Sequence, residues 1–118
     1  MTTEELETAL SSLHALLAKG SFIEAMEQFL AEDVVLEEVG AEPKHGKANC
    51  IAFETKVLED VDSFEGYTVS NVGFGDDTTF YSAVMKFTQK DGTPVVVDQC
   101  VVDCWRDGEI VSERFYHA

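Results

Sequence analysis

The chain has 118 residues, 45% of them apolar and 26% charged, which suits one globular domain with a substantial core and leaves no room for two. Its 23 acidic residues against 8 basic ones give a net charge of −15. Such a surface repels phosphate backbones and anionic membranes, so neither nucleic acid nor membrane is expected as a partner. The acids are spread along the chain and not blocked into a tail, a pattern of solubility more than of recognition. No apolar run approaches the ~20 residues of a membrane span, and the acidic opening Met1–Glu5 does not resemble a signal peptide. Three cysteines, Cys50, Cys100 and Cys104, form no disulfide framework. Cys100 and Cys104 lie four apart in a predicted strand, roughly 13 Å at ~3.3 Å per residue, too far for a bridge. A reduced, cytoplasmic setting is expected, with no zinc-ligand spacing and no metal.

Thr3, with Glu4, Glu5 and Glu7 behind it, predicts a helix start, and Leu6, Leu10, Leu13 and Leu17 recur on one face. Gly20 ends that helix and Ser21 caps a second, whose buried stripe is Phe22, Met26, Phe29 and Leu30. A short strand, Val34–Val39, carries Glu37 and Glu38 into a break at Gly40 and Pro43. A third helix is predicted from Ala48 to about Asp60, with Cys50, Phe53, Val57 and Val61 as its stripe. From Phe64 onward the period becomes two: strands are expected over Phe64–Phe74, Thr78–Gln89, Val95–Trp105 and Glu109–Tyr116. Asp107-Gly108 is the strongest hairpin signal. Helices first and a meander of long strands last predict an α+β fold with three N-terminal helices packed in a curved, mostly antiparallel sheet.

The strand from Val95 is apolar on both faces. Val95, Val97, Gln99, Val101, Asp103 and Trp105 share one side; Val96, Asp98, Cys100, Val102 and Cys104 share the other. Three helices cover only one face of such a sheet. A solvated apolar face of that extent is a liability, so a homodimer through the sheet is expected.

The order of two helices, a short strand, a third helix and a long antiparallel sheet resembles the NTF2-like superfamily, most closely its ketosteroid-isomerase and SnoaL-like polyketide-cyclase branch. The segments that carry the resemblance are Phe29-Leu30-Ala31-Glu32-Asp33-Val34, Val39-Gly40-Ala41-Glu42-Pro43-Lys44-His45-Gly46 and Trp105-Arg106-Asp107-Gly108-Glu109-Ile110-Val111. It covers nearly the whole chain and implies one domain, 1–118, shaped as a cone with an apolar pocket at its wide end, often dimeric through the sheet. In the ketosteroid isomerases the strand entering the Gly-x-Glu-Pro segment carries the catalytic Asp; the matching position here is Glu38. The isomerase tyrosine of the first helix falls at Leu13, beside His14, and the second, protonated Asp falls near Val101, two residues from Asp103. The Tyr/Asp oxyanion pair of the steroid isomerases is therefore not matched.

The candidate chemistry is cofactor-independent proton transfer (isomerisation, cyclisation or dehydration) on a small apolar carbonyl compound. Val34, Leu36 and Glu38 share a face, so Glu38 is the expected acid or base at the end of a core-facing strand. Asp103 and His14 are candidate partners, with Gln99, Val101, Trp105, Leu13 and Leu36 as pocket residues. The plainer roles are a solvated strand-end acid for Glu38, a rim carboxylate or half of an ion pair with Arg106 or Arg114 for Asp103, and a helix-boundary residue for His14. Asp98, Asp103 and Arg114 supply the residue types of an epoxide hydrolase, although Asp98 alternates away from Asp103. Ser63, Ser82 and Ser112 sit on no nucleophile elbow. There is no phosphate loop or dinucleotide fingerprint, so no cofactor is expected. The alternative is a non-catalytic module that binds a ligand or a partner through the same pocket.

Overall fold

The computed structural model describes residues 1–117; the last residue of the expected domain lies outside them. Helices α1 (Thr3–Ala18) and α2 (Phe22–Phe29) lead into strand β1 (Leu30–Glu38), a two-residue strand β2 (Lys44–His45) and helix α3 (Lys47–Leu58). Strands β3 (Val61–Gly75), β4 (Thr78–Gln89), β5 (Pro94–Arg106) and β6 (Glu109–His117) follow. They form one six-stranded sheet in the order β2-β1-β6-β5-β4-β3. The β1–β6 pair is parallel and every other pair is antiparallel. The result is an α+β NTF2-like fold, with three helices against a curved sheet. The third helix enters only after β1 and β2, so the helices do not all precede the sheet.

Helix α1 starts one residue earlier than its acids suggest. Thr2, not Thr3, is the cap: its hydroxyl accepts from the Glu5 N–H at 3.1 Å, and the Glu5 carboxylate accepts from the Thr2 N–H at 2.8 Å. Gly20, at φ +78°, turns the chain between α1 and α2; a Cβ there would meet the Phe64 ring at 2.9 Å, so the position needs glycine twice over. Ser21 holds the N-cap position of α2 without a side-chain cap bond. At the far end, Asp107 and Gly108 both take positive φ, the pair of left-handed residues a two-residue hairpin requires.

Leu6, Leu10 and Leu13 of α1 and Ala25 and Phe29 of α2 close over Tyr81, Ala83, Val101, Trp105 and Ile110 on the concave face. The inward set of β5 is the alternating one expected, with Gln99, Val101, Asp103 and Trp105 buried. Bulges bend the long strands: the β3–β4 register shifts three times, and the β5–β6 register shifts once, between Cys104 and Trp105.

Helix α3 departs from its expected stripe. Cys50 is its one buried residue, whereas Phe53 is 47% and Val57 39% exposed, and Val61 already belongs to β3. The physical reason is what lies beneath it. This helix rides over β1, β2 and α2, and its inward side faces the cavity, so few of its side chains are buried. The three cysteines are free thiols. Among the described residues, no helix is long and apolar enough to cross a membrane.

Candidate active site

A cavity of about 150 Å³ opens between the helices and the concave face of the sheet. A void of about that size lined by apolar side chains accommodates a benzene ring. Its walls are mainly hydrophobic: Leu13 and Leu17 from α1, Phe22, Met26 and Phe29 from α2, Phe53 from α3, and Leu36, Met85, Ile110 and Phe115 from the strands. Into this lining project Tyr67, Tyr81, Gln99, Glu38, Glu54, Glu113 and Lys44.

Of the residues expected from the sequence, Glu38, Gln99, Leu13 and Leu36 line the cavity. Val101 and Trp105 do not. Val101 is wholly buried, and Trp105 lies in the core with its indole N–H donating to the Thr79 hydroxyl at 2.9 Å and its ring edge-on to Phe29. Asp103 and His14 stand behind the lining, each against a residue that does reach the cavity.

Glu38 is the last residue of β1, and the alternation that buries Val34 and Leu36 turns it inward. Its side chain stays 41% exposed, with Oε2 3.6 Å from Nε2 of His117. It therefore stands at the mouth. Glu37, on the other side of the strand, faces Arg114 at 3.8 Å.

Asp103 is fully buried and neither of its carboxyl oxygens has a hydrogen-bond partner among neutral or cationic groups. Its cross-strand neighbour on β6 is a second acid, Glu113, which lines the cavity. Burial pushes Asp103 well above the usual carboxylate range, and the charge of Glu113 pushes it further. Burial raises Glu113 as well, opposed by a hydrogen bond from Asp103. Two ionised carboxylates are acceptors only, so the contact becomes a hydrogen bond when the pair holds a proton. Burial raises both acids, and the pair titrates as a unit.

Tyr67 and Tyr81 complete this inner end. Burial lifts the Tyr67 phenol to about 12, while hydrogen bonds from Tyr81 and Gln99 to its oxygen pull the other way. Tyr81 lies well above the ordinary phenol value, through burial and the nearby acids. Tyr67, Tyr81 and Gln99 thus meet at the cavity wall. His14 packs edge-on against the Tyr81 ring at 4.4 Å, and its Nε2 is buried without a partner. Burial lowers it to about 4, so the imidazole is neutral at pH 7.

The acid–arginine–acid set of an epoxide hydrolase does not assemble. Asp98 and Arg114 are exposed on the outer side of the sheet, and Lys44 is the one cationic side chain in the cavity wall. Among the described residues, no group of three or more His, Cys, Asp or Glu is placed to hold a metal ion.

Glu113, Tyr67 and Glu54 were not singled out from the sequence. Counting alternately from Ile110 sends Glu113 outward, but the bulge opposite Cys104–Trp105 reverses the phase, so Ile110 and Glu113 both face in. The shift between Phe64 and Gly66 does the same for Tyr67. Asp103 next to a β6 acid on the far side of an Asp-Gly hairpin was the available signal, readable only with the bulge known.

An α+β sheet curved around three helices, with a cavity on its concave side, is the NTF2-like fold. Within it, the chain belongs to the SnoaL-like domain family, which it matches over residues 11–113. A structure from Mesorhizobium loti described as a SnoaL-like polyketide cyclase superposes with a TM-score of 0.82 at 23% identity, covering 98% of this chain and 99% of that one. An NTF2-like protein of unknown function from Burkholderia pseudomallei gives 0.83 at 14% identity, over 100% and 92% of the two chains. An LEH-like epoxide hydrolase of M. tuberculosis gives 0.81 at 20% identity, over 98% and 84%. At these identities the likeness is one of fold. No curated protein matches the sequence.

Proposed function

We propose that the cavity binds a small, largely apolar carbonyl compound and moves a proton next to its carbonyl without a cofactor. The observation that carries this reading is that Glu113, backed by the fully buried Asp103, meets Tyr67, Tyr81 and Gln99 in the cavity that Glu38 also lines. Tyr67, beside Tyr81 and Gln99 in the wall, offers its O–H to the substrate oxygen, and the acid pair, when it holds a proton, offers a second beside it. Both are donors in a water-poor setting, where they stabilise developing negative charge best. Glu38, at the mouth, takes the proton from the α-carbon. The C–H electrons enter the new C=C bond, the carbonyl π pair moves onto oxygen, and Glu38 returns the proton to the same or another carbon. His14, neutral and pressed on the Tyr81 ring, positions that ring and carries no proton at pH 7.

The test is α-hydrogen exchange. Cyclohexanone, acetophenone and related small ketones are incubated with the protein in D₂O and followed by NMR. Wild type is expected to accelerate exchange above buffer for at least one of them. Glu38→Gln should lower that rate by about 10²-fold or more, and Tyr67→Phe by about 10²–10³-fold. An unchanged rate in Glu38→Gln removes the base assignment.

A second reading, a non-catalytic ligand carrier, has one observation in its favour: Glu38 is 41% exposed and engaged with His117, not held dry. Binding of ketones without exchange would establish it.

The outer face of the sheet supports a homodimer in either reading. Phe80, Val102 and Arg114 stand in register across β4, β5 and β6, as do Ser82, Cys100 and Tyr116. Phe80 and Tyr116 are 41% and 45% exposed, an apolar patch suited to a second copy. Sedimentation should give a dimer that Phe80→Lys converts to monomer.

A further inference from the structure

The cavity contains an imbalance of charge that proton transfer to a neutral ketone does not use. Three carboxyls, Glu38, Glu54 and Glu113, line it, and a fourth, Asp103, lies buried and without a donor beside Glu113. One ammonium in the wall, Lys44, faces them, its Nζ 3.9 Å from the centroid of the Phe53 ring, and His117 stands 3.6 Å from Glu38 outside the lining. Buried and half-buried charges in proteins are ordinarily matched by opposite ones. Here the carboxyls in the cavity wall outnumber its ammonium groups three to one.

Glu54 makes the point most sharply. It projects from α3 into the cavity and plays no part in the proton-transfer scheme. Burial raises its carboxyl, and Glu38 and Glu113 raise it further, with Lys44 as the opposing influence. A second acid placed next to Glu38 makes the mouth costly to keep ionised unless something positive enters. The walls also suit a positive guest: Phe22, Phe29, Phe53 and Phe115 expose aromatic rings to the cavity, and Phe53 already holds a cation on its face. No set of ligands for a metal ion is assembled among the described residues, and the aromatic walls suit an organic cation.

We infer that the substrate or ligand of this cavity carries a protonated amine, held by Glu54 and Glu38 at the mouth while its apolar body fills the space beneath. The amine half rests on the charges and aromatic walls; the carbonyl half rests on the proposed function above. Glu54 is then a specificity-determining residue, choosing cations over neutral molecules of the same shape.

Calorimetric or NMR titration with a matched pair tests this. Benzylammonium and benzyl alcohol are nearly isosteric and fit a cavity of this size. Benzylammonium should bind wild type at least about tenfold more tightly, with chemical-shift changes centred on Tyr67, Phe53 and Glu113. Glu54→Gln should narrow that preference by about fivefold or more, and Glu38→Gln should narrow it independently. Asp98→Asn, which removes one charge from the outer sheet face, should leave it unchanged. Equal affinity for the two compounds overturns the inference and leaves the ketone-exchange reading standing. An equal loss in Asp98→Asn and Glu54→Gln overturns it too, because attraction to the net charge of −15 would then account for binding. Tight, Glu54-dependent benzylammonium binding with no ketone exchange sustains it and removes the catalytic reading instead.

Discussion

The inner end of the cavity and its mouth are built to different standards. At the inner end, Gln99, Asp103, Tyr81 and Tyr67 stand on three adjacent strands whose registers are fixed by long antiparallel ladders. Each is buried, and its neighbours are the packed core of Val101, Trp105 and Ile110. At the mouth, Glu38 ends a strand, Lys44 sits in a two-residue strand, and Phe53 and Glu54 ride on a helix that buries one residue. Oxyanion donors must be held still, since their value comes from preorganisation. Groups that admit and grip a ligand need room to adjust. On the proposed function, the difference between the two ends maps onto these two tasks, and substitutions should separate them.

The largest effect is expected at Trp105. It braces the strand that carries Asp103, and its indole N–H satisfies the fully buried Thr79 hydroxyl. Trp105→Ala should cost about 3–5 kcal/mol of stability, seen as a large fall in Tm, and activity should fall with it. A variant that kept both would show that the inner end does not depend on this packing.

Next comes the acid pair, whose cost to the fold depends on pH. A carboxyl raised by folding binds more protons in the folded state, so stability is greatest below the unfolded pKa of about 4 and declines as pH rises through the folded value. Asp103→Asn should therefore gain on wild type as pH rises from 5 to 9 in a series of thermal melts. His14 runs the opposite way. Lowered to about 4 by burial, it costs stability as pH falls below about 6.5, so His14→Gln should gain on wild type only on the acid side. Parallel curves for Asp103→Asn and wild type would mean that Asp103 is ionised at no cost, and that the pair holds no proton.

The two ends also differed in how far the sequence revealed them. Alternation along β5 placed Gln99 and Asp103 inward because that strand is regular between Pro94 and Cys104. β4 ran over the residues its pattern indicated, Thr78–Gln89, since turn residues bound it on both sides. Glu38 followed from Val34 and Leu36 by the same rule. Glu113 and Tyr67 were hidden because a bulge reverses the face of everything beyond it, and bulges leave little trace in composition. β1 begins at Leu30 with no break after α2, so the buried Leu30 read as the end of the helix stripe and the strand as starting only at Val34. Glu54 was hidden for another reason. Periodicity reports which face of a helix is apolar, and α3 covers a cavity, so its inward side mixes Cys50 and Phe53 with an acid.

The smallest change in stability, and the sharpest separation of the two ends, is expected at Phe53. Nearly half exposed, it contributes little to the core, so Phe53→Ala should alter stability by no more than about 0.5 kcal/mol. The same substitution removes an aromatic face from the mouth and releases Lys44 from its ring, leaving that ammonium free to approach Glu38 and Glu54. Both consequences weaken a cationic ligand: the lost ring by about 0.5–1 kcal/mol, or roughly two- to fivefold in affinity, and the freed lysine by competing for the same carboxylates. Benzylammonium affinity should therefore drop while the melting curve and the benzyl alcohol affinity change little. If Phe53→Ala instead lowered Tm as Trp105→Ala does, α3 would be part of the core, and the mouth would be as rigid as the inner end.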